Sequence, residues 1–176
     1  MHNIFYFHGL DSFLTDDKRK ILEKFGKVTA PTFNYRDPQT LNNILESFDD
    51  LDMKSTIFIG SSFGGYVANL LSVGYDKPCL LFNPALAYRN VDLTLEEPFD
   101  PAIKSVSWFV LGEKDDVVNC NDNLEFISKH IKGPKKVIIE KELGHRIPLD
   151  IFEKYVSRFF KSIDKKEKDI ESLVGW

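Results

Sequence analysis

The chain has 176 residues, which is the length of one domain, since domains usually hold about 100–200 residues. Hydrophobic residues make up 43% and charged residues 28%, and these shares exclude a wholly disordered or collagen-like chain. The formal net charge of −4 disfavours general nucleic-acid binding, because such binding needs a basic surface.

Six short apolar runs predict β-strands. They are Ile4–Phe7, Lys27–Ala30, Thr56–Ile59, Cys79–Phe82, Val106–Leu111 and Val137–Ile139. Most of these runs are continuously apolar instead of alternating, which is typical of strands covered on both faces of a parallel sheet. The first run is too short for a signal peptide or a membrane span, and two cysteines are too few for a disulfide framework. We therefore expect a soluble protein of the cytoplasm.

Five segments with the apolar spacing of helices accompany the strands. They are Thr15–Phe25, a segment that starts at Asp37-Pro38 and continues to Phe48, a segment after Gly64-Gly65, Asp122–Ile131 and Leu149–Phe160. In the second segment we expect Asp37 to cap the helix, with Pro38 at its first position. The alternation of strands and helices predicts an α/β fold. We expect one domain over residues 1–176, with a mostly parallel sheet of about six strands flanked by helices.

Two segments do not fit this alternation. Residues 84–104 contain three prolines and only weak helical spacing, and a connection of this kind is often a lid or a binding loop. Apolar residues of this segment that either line a substrate site or pack against the sheet are Leu86, Tyr88, Leu93, Leu95 and Phe99. Residues 161–176 form a charged tail in which four lysines and four acidic residues are mixed, so we expect a solvated helix end or a frayed terminus.

A serine motif follows the third predicted strand. The residues Gly60-Ser61-Ser62-Phe63-Gly64 match the pattern G-x-S-x-G with Ser62 at its centre. In that pattern a strained strand-to-helix turn exposes the serine hydroxyl near a helix N-terminus, whose free amides favour developing negative charge. The pattern alone also fits a glycine-rich turn with an ordinary helix-capping serine.

A serine nucleophile needs a base, and the base needs a third group that orients it. In proteins with this motif the order along the chain is serine, acid, histidine, each placed after a later strand. Here Asp115 and Asp116 follow the fifth predicted strand, and His145 follows the sixth. The order therefore predicts Ser62 as nucleophile and His145 as base. Adjacent side chains on a turn point apart, so only one of Asp115 and Asp116 can reach His145 and act as the acid.

The loop His8-Gly9-Leu10 after the first strand has a separate predicted role. His8 precedes the serine in the chain, so the order argues against it as the base and favours a loop-shaping role. Acyl transfer needs two backbone amides to stabilise an oxyanion, one after the nucleophile and one from an early loop. We expect these to be the amides of Phe63 and Leu10.

Together these residues resemble the α/β-hydrolase superfamily and, more narrowly, the small YqiA-type esterases. The resemblance covers about residues 4–160. It is carried by Tyr6-Phe7-His8-Gly9-Leu10-Asp11-Ser12, Gly60-Ser61-Ser62-Phe63-Gly64-Gly65-Tyr66, Phe82-Asn83-Pro84-Ala85, Gly112 with Asp115-Asp116-Val117-Val118, and Gly144-His145. The spacing from Gly112 in such families implies that Asp115 is the acid.

Gly9, Tyr66 and Arg146 are further candidates for substrate binding. Arg146 departs from the family, in which many members have an aromatic residue or Met soon after Gly-His. It either binds an anionic leaving group or faces solvent. The resemblance thus leaves the identity of the substrate open.

The resemblance implies an esterase or thioesterase that acts on small-molecule acyl substrates. We expect no cofactor, metal, nucleic acid or membrane span, because no phosphate-binding or metal-ligand pattern occurs and the apolar runs are short. The oligomeric state is left open. Two alternatives are a hydrolase-like interaction module and an acyltransferase that uses the same residues. Because His8 lies so near the start, the small chain favours a pared-down sheet and a relatively open site.

Overall fold

The apolar runs pair into a single parallel sheet, which buries both of its faces. The computed structural model describes residues 1–48, 52–87, 93 and 103–174, with no side chain described beyond residue 165. In this part of the chain the strands are β1 (His2–Phe7), β2 (Gly26–Thr29), β3 (Thr56–Ser61), β4 (Cys79–Phe82), β5 (Ser107–Gly112) and β6 (Lys135–Glu140). All pairs are parallel, in the order β2-β1-β3-β4-β5-β6. The predicted six-stranded α/β fold is confirmed.

Helices lie on both sides of this sheet. Within the described ranges they are α1 (Asp16–Glu23), α2 (Thr40–Glu46), α3 (Phe63–Tyr75), α4 (Cys120–His130) and α5 (Leu149–Val174), with a 3₁₀ turn at Met53–Ser55. Helix α5 is longer than its apolar spacing predicts, because the charged tail continues the helix as far as Val174. Of the two alternatives for this tail, the helical one applies to residues 161–174, and residues 175–176 lie outside the described residues.

The predicted start of α2 is wrong. The Thr40 amide donates to the Asp37 carbonyl at 3.0 Å, and the Gln39 amide donates to the Asp37 carboxylate at 2.9 Å. Asp37 and Pro38 therefore occupy the first two positions of a β-turn, for which both residue types are also favoured. The helix begins only at Thr40, after this turn.

The core has two layers, because successive strand residues point to opposite faces of the sheet. Phe5 and Phe7 of β1 face the layer that also holds Ile44 of α2, Val67 of α3 and Ile127 of α4. The opposite layer holds the apolar faces of α1 and α5 against the sheet, with Ile4, Tyr6, Ile21, Leu22, Trp108, Val110, Phe152 and Phe159.

Strand β6 forms one edge of the sheet and is partly exposed. Strand β6 pairs only with β5, and its side chains Val137 and Ile139 are 37% and 46% exposed. On the opposite face of β6 the Lys136 ammonium lies 4.1 Å from the centre of the Trp108 ring. The histidine loop thus leaves the sheet from an edge strand.

The strand order places the predicted site. The chain runs from β1 outward to β2 and then returns to β3 on the other side of β1. The loops after β1 and β3 therefore diverge to opposite sides of the sheet, and ligands of open α/β sheets bind in the crevice at such a switch point. His8-Gly9-Leu10 follows β1 and Ser62 follows β3, so both meet at this crevice.

Most of the predicted lid, residues 84–104, lies outside the described residues, including Tyr88, Leu95 and Phe99. Leu86 is fully buried in the core layer, and Leu93 packs against the same layer. Leu86 and Leu93 therefore pack against the core beside the sheet and do not line a substrate site. No helix in the described ranges is long and apolar enough to span a membrane.

The packing of α5 predicts a large cost for removing a single ring. Phe159 is fully buried and contacts the Trp108 ring edge-on at 5.6 Å between centroids. We expect Phe159→Ala to lower the free energy of unfolding by about 3–5 kcal/mol, since it removes buried surface and leaves a cavity. Urea denaturation followed by circular dichroism measures this, with Lys161→Ala, an exposed site on the same helix, as a control that stays within about 0.5 kcal/mol.

Candidate active site

Ser62 sits on a sharp turn between β3 and α3. Its backbone angles are φ 53° and ψ −124°, in the region with positive φ that residues other than glycine seldom adopt. A side chain at Gly60 would overlap the backbone of Gly64, and one at Gly64 would overlap the carbonyls of Phe7 and His8. The two glycines therefore let the turn close and press α3 onto the end of β1.

The Ser62 hydroxyl faces the loop after β1. A methyl group at Gly9 would lie 3.3 Å from Ser62 Cβ and 3.8 Å from its Oγ, so Gly9 leaves room for the serine. Phe63 is the first residue of α3, where backbone N–H groups have no partner within the helix. Among the described residues, neither the Phe63 nor the Leu10 amide has a hydrogen-bond acceptor.

His145 and Asp115 form a directly bonded pair. His145 Nδ1 lies 3.0 and 2.9 Å from the two oxygens of Asp115, whose side chain is 1% exposed. A carboxylate only accepts, so Nδ1 carries the proton and, in the neutral ring, Nε2 is left as an acceptor. Asp116 is exposed, so the structure pairs the histidine with Asp115 and not with its neighbour.

The Asp115 carboxylate is held as an anion. Burial raises its pKa, but hydrogen bonds from His145 and from the Val118 and Val117 amides, at 2.8 and 2.9 Å, outweigh burial. The net pKa of Asp115 lies below its usual value. The acid can therefore orient His145 and stabilise a positive charge on its ring without taking up a proton.

The serine and histidine are not hydrogen-bonded to each other in this structure. Among the described residues no bond joins Ser62 Oγ to His145, although both side chains are partly exposed at the same edge of the sheet. Catalytic hydrogen bonds are often long without substrate and shorten in the complex.

His8 shapes the loop beside the serine. It is 2% exposed, its Nε2 accepts from the Phe33 amide at 2.9 Å, and its Nδ1 bonds to the Gly9 carbonyl at 2.7 Å. Because an amide can only donate and a carbonyl can only accept, the proton of His8 is on Nδ1. The planar Gly9–Leu10 peptide is thereby fixed, with the Leu10 N–H directed away from His8.

The other candidates for substrate binding differ in position. Tyr66 is buried, and its hydroxyl donates to the Leu93 carbonyl at 2.8 Å and accepts from the Leu93 amide at 3.2 Å. Tyr66 is therefore occupied by its bonds to the Leu93 backbone, whereas Gly9 is packed against Ser62. Arg146 is exposed beside His145. The described residues contain no cluster of side chains suited to a metal ion.

A cleft beside the β1 loop was not foreseen from the sequence. It has a volume of about 400 Å³ and is lined by Leu10, Phe33 and Tyr35, with an Arg36–Asp11 ion pair of 2.6 Å at its polar side. The loops that form this cleft are separated by about twenty residues in the chain. No local motif marks such a contact, because it depends on β1 and β2 being neighbours.

Comparisons with solved structures show the same fold. The chain superposes on mouse alpha/beta hydrolase domain-containing protein 10 with a TM-score of 0.69 at 13% identity, covering 96% of this chain and 90% of that one. It superposes on a Bacillus cereus carboxylesterase with a TM-score of 0.63 at 15% identity, covering 91% of this chain and 88% of that one. It also superposes on FphF, a fluorophosphonate-binding serine hydrolase of Staphylococcus aureus, with a TM-score of 0.64 at 14% identity. That superposition covers 92% of this chain and 82% of FphF.

No curated protein matches the sequence. Residues 3–108 match the model of the Uncharacterised protein family (UPF0227), the family of the YqiA-type proteins. This match spans more than half of the chain and includes both the His8-Gly9-Leu10 loop and the Ser62 turn. The protein therefore belongs to the UPF0227 family, and its fold is that of the α/β hydrolases.

Proposed function

We propose that this protein is a serine hydrolase that cleaves carboxylic esters or thioesters through Ser62, His145 and Asp115. The observation that carries the proposal is the bonded His145–Asp115 pair at the same sheet edge as a serine on a turn with positive φ. An ordinary helix-capping serine would not account for this turn, because Ser62 makes no side-chain capping bond to α3.

In the proposed reaction Ser62 Oγ attacks the acyl carbonyl while His145 Nε2 takes the serine proton. The carbonyl oxygen becomes an oxyanion that the Leu10 and Phe63 amides stabilise. His145 then gives its proton to the leaving alcohol or thiol as the bond to that group breaks, which leaves an acyl-serine. Water attacks this acyl group while His145 takes a proton from the water. His145 then returns that proton to Ser62 Oγ as the acyl–serine bond breaks, which releases the acid and restores the enzyme.

Several features support a hydrolase over an interaction module. A module that only binds a partner has no need of a buried, ionised Asp115, nor of the Leu10 and Phe63 amides, which have no acceptor among the described residues. The similar structures include a carboxylesterase and a fluorophosphonate-binding serine hydrolase.

A fluorophosphonate probe tests the proposal directly. The wild-type protein is expected to be labelled with loss of fluoride, because Ser62 attacks phosphorus as it would a carbonyl carbon. Ser62→Ala removes the nucleophile and abolishes labelling, and His145→Ala slows it strongly, both measured by gel fluorescence or intact mass. Ser61→Ala, which changes the neighbouring serine, is the control that stays labelled. A folded wild-type protein that is not labelled contradicts the proposal.

The two adjacent acids are predicted to differ sharply. Asp115→Asn removes the anion that orients His145, so kcat/KM for p-nitrophenyl butyrate should fall by about 10³–10⁴-fold. Asp116→Asn changes an exposed side chain and should stay within about twofold of wild type. Equal losses in the two variants would count against Asp115 as the acid.

Replacing His8 tests the Leu10 amide. His8→Ala frees the Gly9 carbonyl and releases the Gly9–Leu10 peptide from its fixed orientation. We expect kcat to fall by about 10²-fold, the order of loss found when one oxyanion donor is removed, with little change in KM. The control is His130→Ala, an exposed residue of α4. Unchanged kcat in a folded His8→Ala variant would remove Leu10 from the oxyanion site.

A further inference from the structure

Asn83 follows β4 and lies between the loops that carry Ser62, Asp115 and His145. It is 2% exposed, and its backbone has a φ of +43°. Asparagine tolerates this left-handed conformation better than most residues. This conformation favours an asparagine, aspartate or glycine at position 83, but it does not by itself account for the contacts of the Asn83 side chain.

The Asn83 side chain joins the end of β5 to the histidine loop. Its Nδ2 donates to the Gly144 carbonyl at 2.8 Å and to the His145 carbonyl at 3.2 Å. Its Oδ1 accepts from the amide of Gly112, the last residue of β5, at 2.7 Å. Two carbonyls and one N–H can be satisfied by only one orientation of the amide group. One buried, rigid group thus bridges the strand that leads to Asp115 and the backbone of His145.

The residues on either side of Asn83 hold the serine turn. The Ser62 amide donates to the Phe82 carbonyl at 3.0 Å, and the Ala85 amide donates to the Ser62 carbonyl at 2.9 Å. Pro84 packs on Gly65, where a methyl group would lie 2.8 Å from Pro84 Cβ. Residues 82–85 are therefore bonded to the serine turn through their backbone and to the other two loops through Asn83.

We propose that Asn83 is a positioning residue, which sets His145 relative to both Asp115 and Ser62. The proposal rests on the proposed function for its catalytic consequence. A second link between the same loops, from the Lys114 amide to the Leu143 carbonyl at 3.0 Å, holds the histidine loop two residues before His145. Without Asn83 the loop keeps that link but can pivot about it. A displacement of about 1 Å in such a site costs about 10²-fold in rate.

Two substitutions separate this role from a need for the backbone conformation alone. Asn83→Gly adopts positive φ freely and removes only the side chain. Asn83→Asp keeps the acceptor for the Gly112 amide but turns an oxygen toward the carbonyls of Gly144 and His145. Each folded variant is expected to lose about 10- to 100-fold in kcat for p-nitrophenyl butyrate, with KM within about threefold of wild type.

A proton NMR measurement tests the geometry without any substrate. The low-field signal of the His145 Nδ1–H reports its bond to Asp115, and its loss in His145→Ala assigns it. We expect this signal to shift or broaden in Asn83→Gly and Asn83→Asp. Asn121→Asp makes the same change at an exposed asparagine of α4 and is expected to keep both the signal and kcat.

The inference is overturned if Asn83→Gly keeps both the wild-type kcat and the wild-type His145 signal, since the residue then serves only the turn. If the glycine variant does not fold, Asn83→Asp decides the question by the same two measurements, because the aspartate keeps the bond from the Gly112 amide. Failure of the proposed function has a different signature. A wild-type protein that is not labelled by fluorophosphonate refutes the esterase, whereas the proton signal still decides the role of Asn83.

Discussion

The carbonyl oxygens of Phe7 and His8 lie where a side chain at residue 64 would have to be. This close approach is the constraint on which the geometry of the site depends. It exists because β1 and β3 are neighbouring parallel strands, whose carboxyl ends meet at the crevice of the sheet. Since α3 can rest directly on the end of β1, Ser62 comes to face Gly9 of the neighbouring loop. Any larger residue at position 64 would lift the helix and separate the serine from the neighbouring loop.

The described contacts of the site combine apolar packing with buried hydrogen bonds. His8, Asn83 and Asp115 are all less than 10% exposed, and each has its side-chain acceptors or donors satisfied by neighbouring loops. Buried polar groups with good partners fix one arrangement of the chain, because every alternative leaves a donor or acceptor unpaired. The side-chain oxygens of Tyr35, Asn69 and Asn123 are buried without a partner in the described residues.

Much of this arrangement could be predicted from the sequence. The strands are visible as apolar runs, and the order of Ser62, an acid and His145 after successive strands marks the sheet edge. The start of α2 could not be read correctly, because Asp37-Pro38 fits both a helix cap and the β-turn that it makes. The bonds of Asn83 and His8 join residues far apart in the chain, so no local pattern shows them. The residues alone do not separate Asp115 from Asp116, because the two are adjacent and chemically alike, and only the spacing typical of the family favours Asp115.

The exposed edge of β6 has a consequence for the stability of the histidine loop. The amides of Ser107 and Glu113 donate to the carbonyls of Pro134 and Glu140, so the even-numbered residues of β6 direct their backbone groups toward β5. The odd-numbered residues Val137 and Ile139 therefore direct their amides away from the sheet. Such amides exchange with solvent readily, and an edge strand opens at a lower free energy than a central one. His145 therefore depends on an edge strand, while Ser62 depends on the centre of the sheet. Local opening of this edge would move His145 away from Ser62 while the rest of the sheet stays folded.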